Sequence, residues 1–163
     1  MNMRERNSGF VEGIVDVGIL VPACFENPLR ESSVDFLSQV LTQRKKAAIP
    51  LSSIIGAYHI TTRYLKVPRL SVKKTLEGML RTGSPALVGI MTDKTVSDAI
   101  DYATVYNIES WDGFLVALCR SMGSTIIYSL DNELRKVKEI TVVNPFPEEQ
   151  VKEYHKYLQE KID

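Results

Sequence analysis

Short apolar runs alternating with helix-patterned segments predict an α/β fold with a mostly parallel sheet. Gly13-Ile14-Val15, Ala47-Ala48-Ile49 and Thr125-Ile126-Ile127-Tyr128 are too continuously apolar for half-exposed strands, and segments with apolar residues three and four apart lie between them. The length, 163 residues, suits one well-buried domain and is short for two. The boundaries read as a flexible start over residues 1–9, the domain over 10–147 and a helix over 148–163 docked on the same domain.

Phe10 to Val21 reads as a first buried strand, with Asp16 the anomaly inside it. Val34, Leu37, Val40 and Leu41 then follow helical spacing, with Ser32 or Ser33 available as cap. Ala47 to Leu51 is a short strand, after which Ser52 or Ser53 caps a helix carrying Ile54, Ile55, Tyr58, Thr62 and Leu65, ended by Val67-Pro68. A third helix turns Val72, Leu76, Met79 and Leu80 inward and stops near Gly83, where glycine accepts a left-handed cap. Leu87 to Met91 is the next strand, and Thr92 or Asp93 caps a helix with Val96, Ala99, Ile100, Ala103 and Tyr106 on one face. Asp93, Asp98 and Asp101 fall near its start or on its solvent side, where the helix dipole favours a carboxylate. Ser110 caps the helix Trp111 to Met122, closed by Gly123, and strands follow at Thr125 to Ser129 and Thr141 to Asn144. From Glu148 onward Val151, Tyr154, Leu158 and Ile162 form one stripe, so a terminal helix docks on the body or on a second copy.

The apolar run Ile14 to Val21 is interrupted by Asp16 and too short to span a bilayer, so no membrane role is expected. Cys24 and Cys119 lie in apolar stretches without CxxC or Cys/His spacing, which points to reduced, packed thiols in the cytoplasm and away from structural zinc. His59 and His155 are solitary and read as a packed and an exposed histidine respectively. Net charge is zero but unevenly spread. From Arg44 to Arg81 nine basic residues face the single acid Glu77, a net +8, whereas Asp93 to Asp163 carries −5. Within the basic segment Lys45, Lys46, Arg63, Lys73 and Lys74 are candidates for contact with nucleic-acid phosphates, or are the solvated faces of helices.

Three aspartates stand where strands or helices meet loops. Asp16 closes Gly13-Ile14-Val15, Asp112 opens the run Phe114 to Cys119, and Asp131 follows Thr125 to Tyr128. Asp112 suits a helix start and Asp131 a turn, but Asp16 in an apolar run has no such explanation. Carboxylates converging at the carboxyl edge of a parallel sheet repel unless a cation joins them, which suggests a hard-metal site.

The chain resembles the PIN-domain family of metal-dependent nucleases, whose best-populated branch is the VapC-type toxin ribonucleases. Ile14-Val15-Asp16-Val17-Gly18-Ile19-Leu20 is similar to the family's first strand with its leading Asp, and Ala99-Ile100 through Asn107-Ile108 to the helix before the third acid. Ser110-Trp111-Asp112-Gly113-Phe114-Leu115-Val116-Ala117 resembles the family's Asp-Ala-x-(Ile/Leu)-x-Ala helix start, with Gly113 for the first Ala. Ile126 to Leu134, with Ser129-Leu130-Asp131, is similar to its strand ending in Thr/Ser-x-Asp, and Asn144-Pro145-Phe146 to its closing Asn-Pro-Phe/Tyr.

The resemblance implies a three-layer α/β/α domain that binds Mg²⁺ or Mn²⁺ and cleaves RNA. Asp16, Asp112 and Asp131 would be its metal ligands and catalytic residues, with Ser129 and Asn132 in support. It further implies a dimer and a small antitoxin-like protein that inserts a segment into the acidic groove. The family's second acid would fall near Gly56, yet no Asp or Glu occurs between Asp35 and Glu77. Val17 and Gly18 also replace the family's hydrogen-bonding residues after the first Asp. The alternative is therefore a catalytically degenerate PIN domain that binds RNA or a protein partner. Haloacid-dehalogenase-like and receiver-type phosphate transfer fit less well. Gly18 stands where the first needs an Asp, and Glu12 with Asp16 is a poor substitute for the paired acids of the second. No GxGxxG or Walker loop supports a nucleotide cofactor.

Overall fold

A computed structural model describes residues 11–163, so the proposed flexible start lies outside the described residues. In chain order the elements are β1 (Gly13–Val15), α1 (Val17–Leu20), α2 (Arg30–Leu41), β2 (Ala47–Pro50), α3 (Leu51–His59), α4 (Arg69–Arg81), β3 (Leu87–Val88), α5 (Asp93–Tyr106), α6 (Ser110–Ser121), β4 (Ile126–Tyr128), β5 (Thr141–Val143) and α7 (Glu148–Ile162). Short 3₁₀ turns cover Val21–Cys24 and Asn132–Lys136, and a π turn covers Ile60–Tyr64. The strands form a sheet in the order β3-β2-β1-β4-β5, with every pair parallel. Ile14 sits opposite Ala48 on one side and Ile127 on the other.

Strand alternation divides the core into two layers. Ile14, Ala48, Ile127 and Val142 pack with Leu115, Val116 and Cys119 of α6. Val15, Ala47, Ile49 and Tyr128 face the opposite way, against residues of α1, α2, α3 and α4 and against Tyr154 of α7. Helices thus cover both faces, giving the expected three-layer α/β/α arrangement. Among the described residues no helix is long and apolar enough to cross a membrane.

Several elements differ from the sequence reading. The run from Val11 to Val21 is not one strand: β1 ends at Val15, and the Asp16 side chain accepts from the Val17 amide to start α1. Ile19 and Leu20 are therefore buried from a helix. Ser33 does not cap α2; it is buried one turn inside and donates to the Ile19 carbonyl. Neither Ser52 nor Ser53 caps α3, which begins at Leu51 directly after β2. Val34, Ile55, Leu80, Val96 and Ile100 are exposed, so on α5 the expected Ala99 and Tyr106 pack inward but Thr95 and Tyr102 take the places read for Val96 and Ile100. Helical spacing alone left that face ambiguous, because threonine and alanine score weakly as apolar. His59 is exposed rather than packed. The caps at Thr92 and the positive-φ glycines Gly83 and Gly123 stand as read, and β3 is shorter than expected.

Candidate active site

The chain passes from β1 to β2 on one side and, after β3, returns to β4 on the other, so strand order reverses between β1 and β4. In open α/β sheets the crevice outside the carboxyl ends at this point is where ligands bind. Asp16 follows β1 directly and its amide donates to the Tyr128 carbonyl at 3.0 Å, locking the two strand ends together. Asp131 follows β4 by three residues, and Asp112 lies in the first turn of α6. All three line one cleft of about 1480 Å³.

Asp16 is only 7% exposed. One of its carboxylate oxygens accepts from the Val17 amide at 2.7 Å, and the other from the Ser129 hydroxyl at 2.6 Å. Ser129 also accepts from the Asp131 amide at 2.9 Å, while Asp131 accepts from the Glu133 amide at 2.8 Å. One hydroxyl thereby links the first and third acids. Asn132, expected beside it, instead accepts from Arg135. Burial pushes the Asp16 carboxyl up, the bonds from Ser129 and Val17 pull it down, and Asp131 adds a smaller upward push. Asp112 is pushed up to about 7, first by burial and then by Asp16, Asp131, Glu109 and Glu133. Among the described residues none of the three aspartates forms a salt bridge.

The basic candidates do not join this cleft. Lys45 sits before β2, at the opposite edge of the sheet, with its ammonium 5.0 Å from the Tyr128 ring centre and 3.7 Å from Glu12. Lys73 pairs with Glu77 on α4, and Lys46, Arg63 and Lys74 are exposed elsewhere. Instead, the cleft wall carries apolar and aromatic side chains that sequence reasoning did not assign to the site: Leu51, Ile55, Tyr64, Ile90, Met91 and Trp111. All are substantially exposed. Trp111 and Asp112 are neighbours in sequence and both border the cleft, although adjacent positions on a helix do not share a face. Gly56 also lines the cleft, and a Cβ added there would meet Val17 at 3.2 Å, so the position of the absent second acid does border the acidic end.

Among the described residues no three His, Cys, Asp or Glu side chains gather closely enough to hold a metal ion between them. Asp16, Asp112 and Asp131 are all carboxylates, the ligand type that hard cations take. Mg²⁺ commonly keeps several waters and binds through only one or two carboxylates. No family model matches the chain, and no curated protein does.

Proposed function

We propose that this protein is a divalent-metal-dependent ribonuclease of the PIN type, a toxin or RNA-processing enzyme. The observation that supports the reading is that Asp16, Asp112 and Asp131, from three separate elements, border one cleft at the sheet's reversal point, with no cation paired to any of them among the described residues. Their repulsion is relieved by a bound cation. Mg²⁺ or Mn²⁺, held by one or two of these carboxylates and water, would supply an activated water and neutralise charge gathering on the phosphodiester. Asp16 is held by Ser129 and Val17 and serves as the fixed carboxylate. Asp131, tied through the same hydroxyl, fixes the second side of the cleft. Asp112, whose carboxyl is pushed up to about 7, would have to lose its proton to help hold the ion, which would couple metal uptake to pH. The buried free thiols of Cys24 and Cys119 suit the reducing cytoplasm.

Calorimetric titration with Mn²⁺ tests this without a known substrate. Saturable binding is expected in the wild type and not in Asp112→Asn. Absence of binding up to millimolar Mn²⁺ would sink the nuclease reading. A second reading, the degenerate binding module, is favoured by glycine at position 56 and by the exposed apolar wall. In it the cleft holds a partner segment with apolar anchors and a basic side chain directed at the aspartates, the chemistry of an antitoxin-like protein. Binding of such a segment that survives Asp16→Asn and needs no metal is its signature.

A further inference from the structure

The cleft at the sheet's reversal point combines unpaired acids with open apolar surface. Neither lysine nor arginine lines it, and among the described residues no cation pairs with Asp16, Asp112 or Asp131. Around it Ile55 is 73% exposed, Trp111 66% and Tyr64 62%. Single exposed apolar residues are ordinary, but several grouped round one concavity mark a contact surface. A lone cation would offset the acids and leave the apolar wall in water, so the occupant that fits brings basic and apolar groups together.

The chain carries that complement at the cleft's own edge. The π turn lines the cleft through Ile60, Tyr64 and Leu65, Lys66 follows, and α4 opens with Arg69 and Leu70. This helix packs against both α3 and the π turn. It buries Val72, Leu76 and Met79, which leaves Leu70, Lys73, Lys74 and Arg81 facing out. Glu77 pairs with Lys73 and Arg81, whereas Lys66, Arg69 and Lys74 form no salt bridge among the described residues. Leu70 stands between them at 62% exposure. An acidic, apolar-walled surface thus adjoins a basic one with an apolar tip, in a chain of zero net charge. Adjoining patches of opposite sign are self-complementary: a second copy turned through half a revolution sets each patch against its opposite.

We propose that the occupant of the cleft is a second copy of this chain. Two copies pair reciprocally, and Lys66, Arg69, Leu70 and Lys74 of each dock on the acidic, apolar-walled cleft of the other. Each cleft then receives from its partner the positive charge that its own copy does not supply, and its apolar wall is covered. The pairing does not depend on the nuclease reading. Where that reading also holds, the partner's basic side chains and the metal ion compete for the same carboxylates, so the paired state is the metal-free, inactive one.

Sedimentation of the full-length protein in EDTA, from micromolar to submillimolar concentration and at low and high salt, tests the pairing. A dimer that forms with concentration and loosens as salt rises is expected. Arg69→Glu with Lys74→Glu should weaken it roughly 10-fold or more, and so should Glu109→Lys with Glu133→Lys on the cleft rim. Mixing the two double variants should restore pairing, because both contacts of the mixed dimer again join opposite charges. That recovery also excludes misfolding as the cause of either loss. A monomer at every concentration, which would leave the cleft to a different partner, overturns the proposal. So does an open-ended polymer, or a dimer that neither reversal weakens. Mn²⁺ then separates the two readings. A pair that forms in a protein unable to bind Mn²⁺ upholds the pairing while the nuclease reading falls, and saturable Mn²⁺ binding by a constant monomer does the reverse. Mn²⁺ that binds saturably without loosening the pair would overturn the competition between them.

Discussion

At Asp112, burial and four like-signed neighbours act in the same direction, which makes the residue's charge state depend on the fold. Unfolded, its carboxyl has the ordinary value of 3.8, and folded it lies at about 7. Between those values the folded protein holds a proton that the unfolded chain does not, so stability falls as pH rises through the window. The penalty is absent below the lower value and complete above the upper one. In metal-free protein Asp112→Asn is therefore expected to be stabilising at about pH 8, by on the order of 1 kcal/mol after screening at this half-exposed site. That corresponds to roughly 2–4 °C in Tm. Thermal unfolding should show the gain shrinking by more than half near pH 5, and a difference independent of pH would refute the assignment. Gly113 beside it makes the opposite kind of prediction. A Cβ there would lie 2.2 Å from the Ala99 carbonyl oxygen, a backbone atom of the neighbouring helix. Helix propensity favours alanine by roughly 1 kcal/mol, but overpacking against a backbone costs about 1–3 kcal/mol or more. Gly113→Ala should therefore lose up to about 2 kcal/mol or more in chemical denaturation, and a stabilised variant would mean that α5 yields easily. The sequence identified Asp112 by its helix-start pattern but not this field, because Asp16, Asp131 and Glu133 meet it only after separate elements fold together.

Elements decide which residues meet, and the junction of β1 with β4 shows how. The Ser129 hydroxyl donates to Asp16 and accepts from the Asp131 amide, so a single side chain aligns the ends of two strands. Ser129→Ala should cost about 1–3 kcal/mol, because the buried carboxylate loses one of its two hydrogen-bond donors. The loss also removes an interaction that lowers the Asp16 carboxyl, so the remaining group titrates higher and Mn²⁺ affinity measured near pH 6 should drop more than at pH 8. Calorimetry at both pH values reads the difference, and equal losses would assign Ser129 a purely structural role. Legibility differed at this scale for physical reasons. Continuously apolar runs such as Ile126-Ile127-Tyr128 announced strands, and Asp131 was visible just past the end of one. The first segment misled, since Val17, Ile19 and Leu20 are apolar in a strand or a helix alike, and only the cap made by Asp16 separates the two. On α5 Val96 and Ile100 face water and Thr95 faces the core, so the buried face, which keeps Ala99 and Tyr106, is rotated from the one that spacing indicated.

For the whole molecule, one α/β body requires that both faces of the sheet be sealed, and α7 is the last part of that seal. Its Tyr154 is 4% exposed, and Val151, Tyr157 and Leu158 pack half-buried against the same core, with Phe25 and Tyr157 ring centres 6.4 Å apart. The docked stripe was legible in the sequence, except that Ile162 at its end is exposed. Full burial of one large side chain contributes about 1.5–3 kcal/mol and partial burial less, so α7 contributes on the order of 5 kcal/mol. Domains of this kind are stable by only about 5–15 kcal/mol in total. A chain ending at Pro147 should therefore lose a large share of its stability and expose the Val15 and Tyr128 side of the core. Near-UV circular dichroism and binding of an apolar dye report that state directly. A truncated chain that unfolds cooperatively within a few degrees of the full protein would show that α7 decorates the body without sealing it. The result bears on the site as well, because Tyr154 and Leu158 border the cleft that carries Asp16 and Asp112. If α7 is part of the seal, Mn²⁺ binding should fail in the truncated chain together with folding, and restoring the helix should restore both.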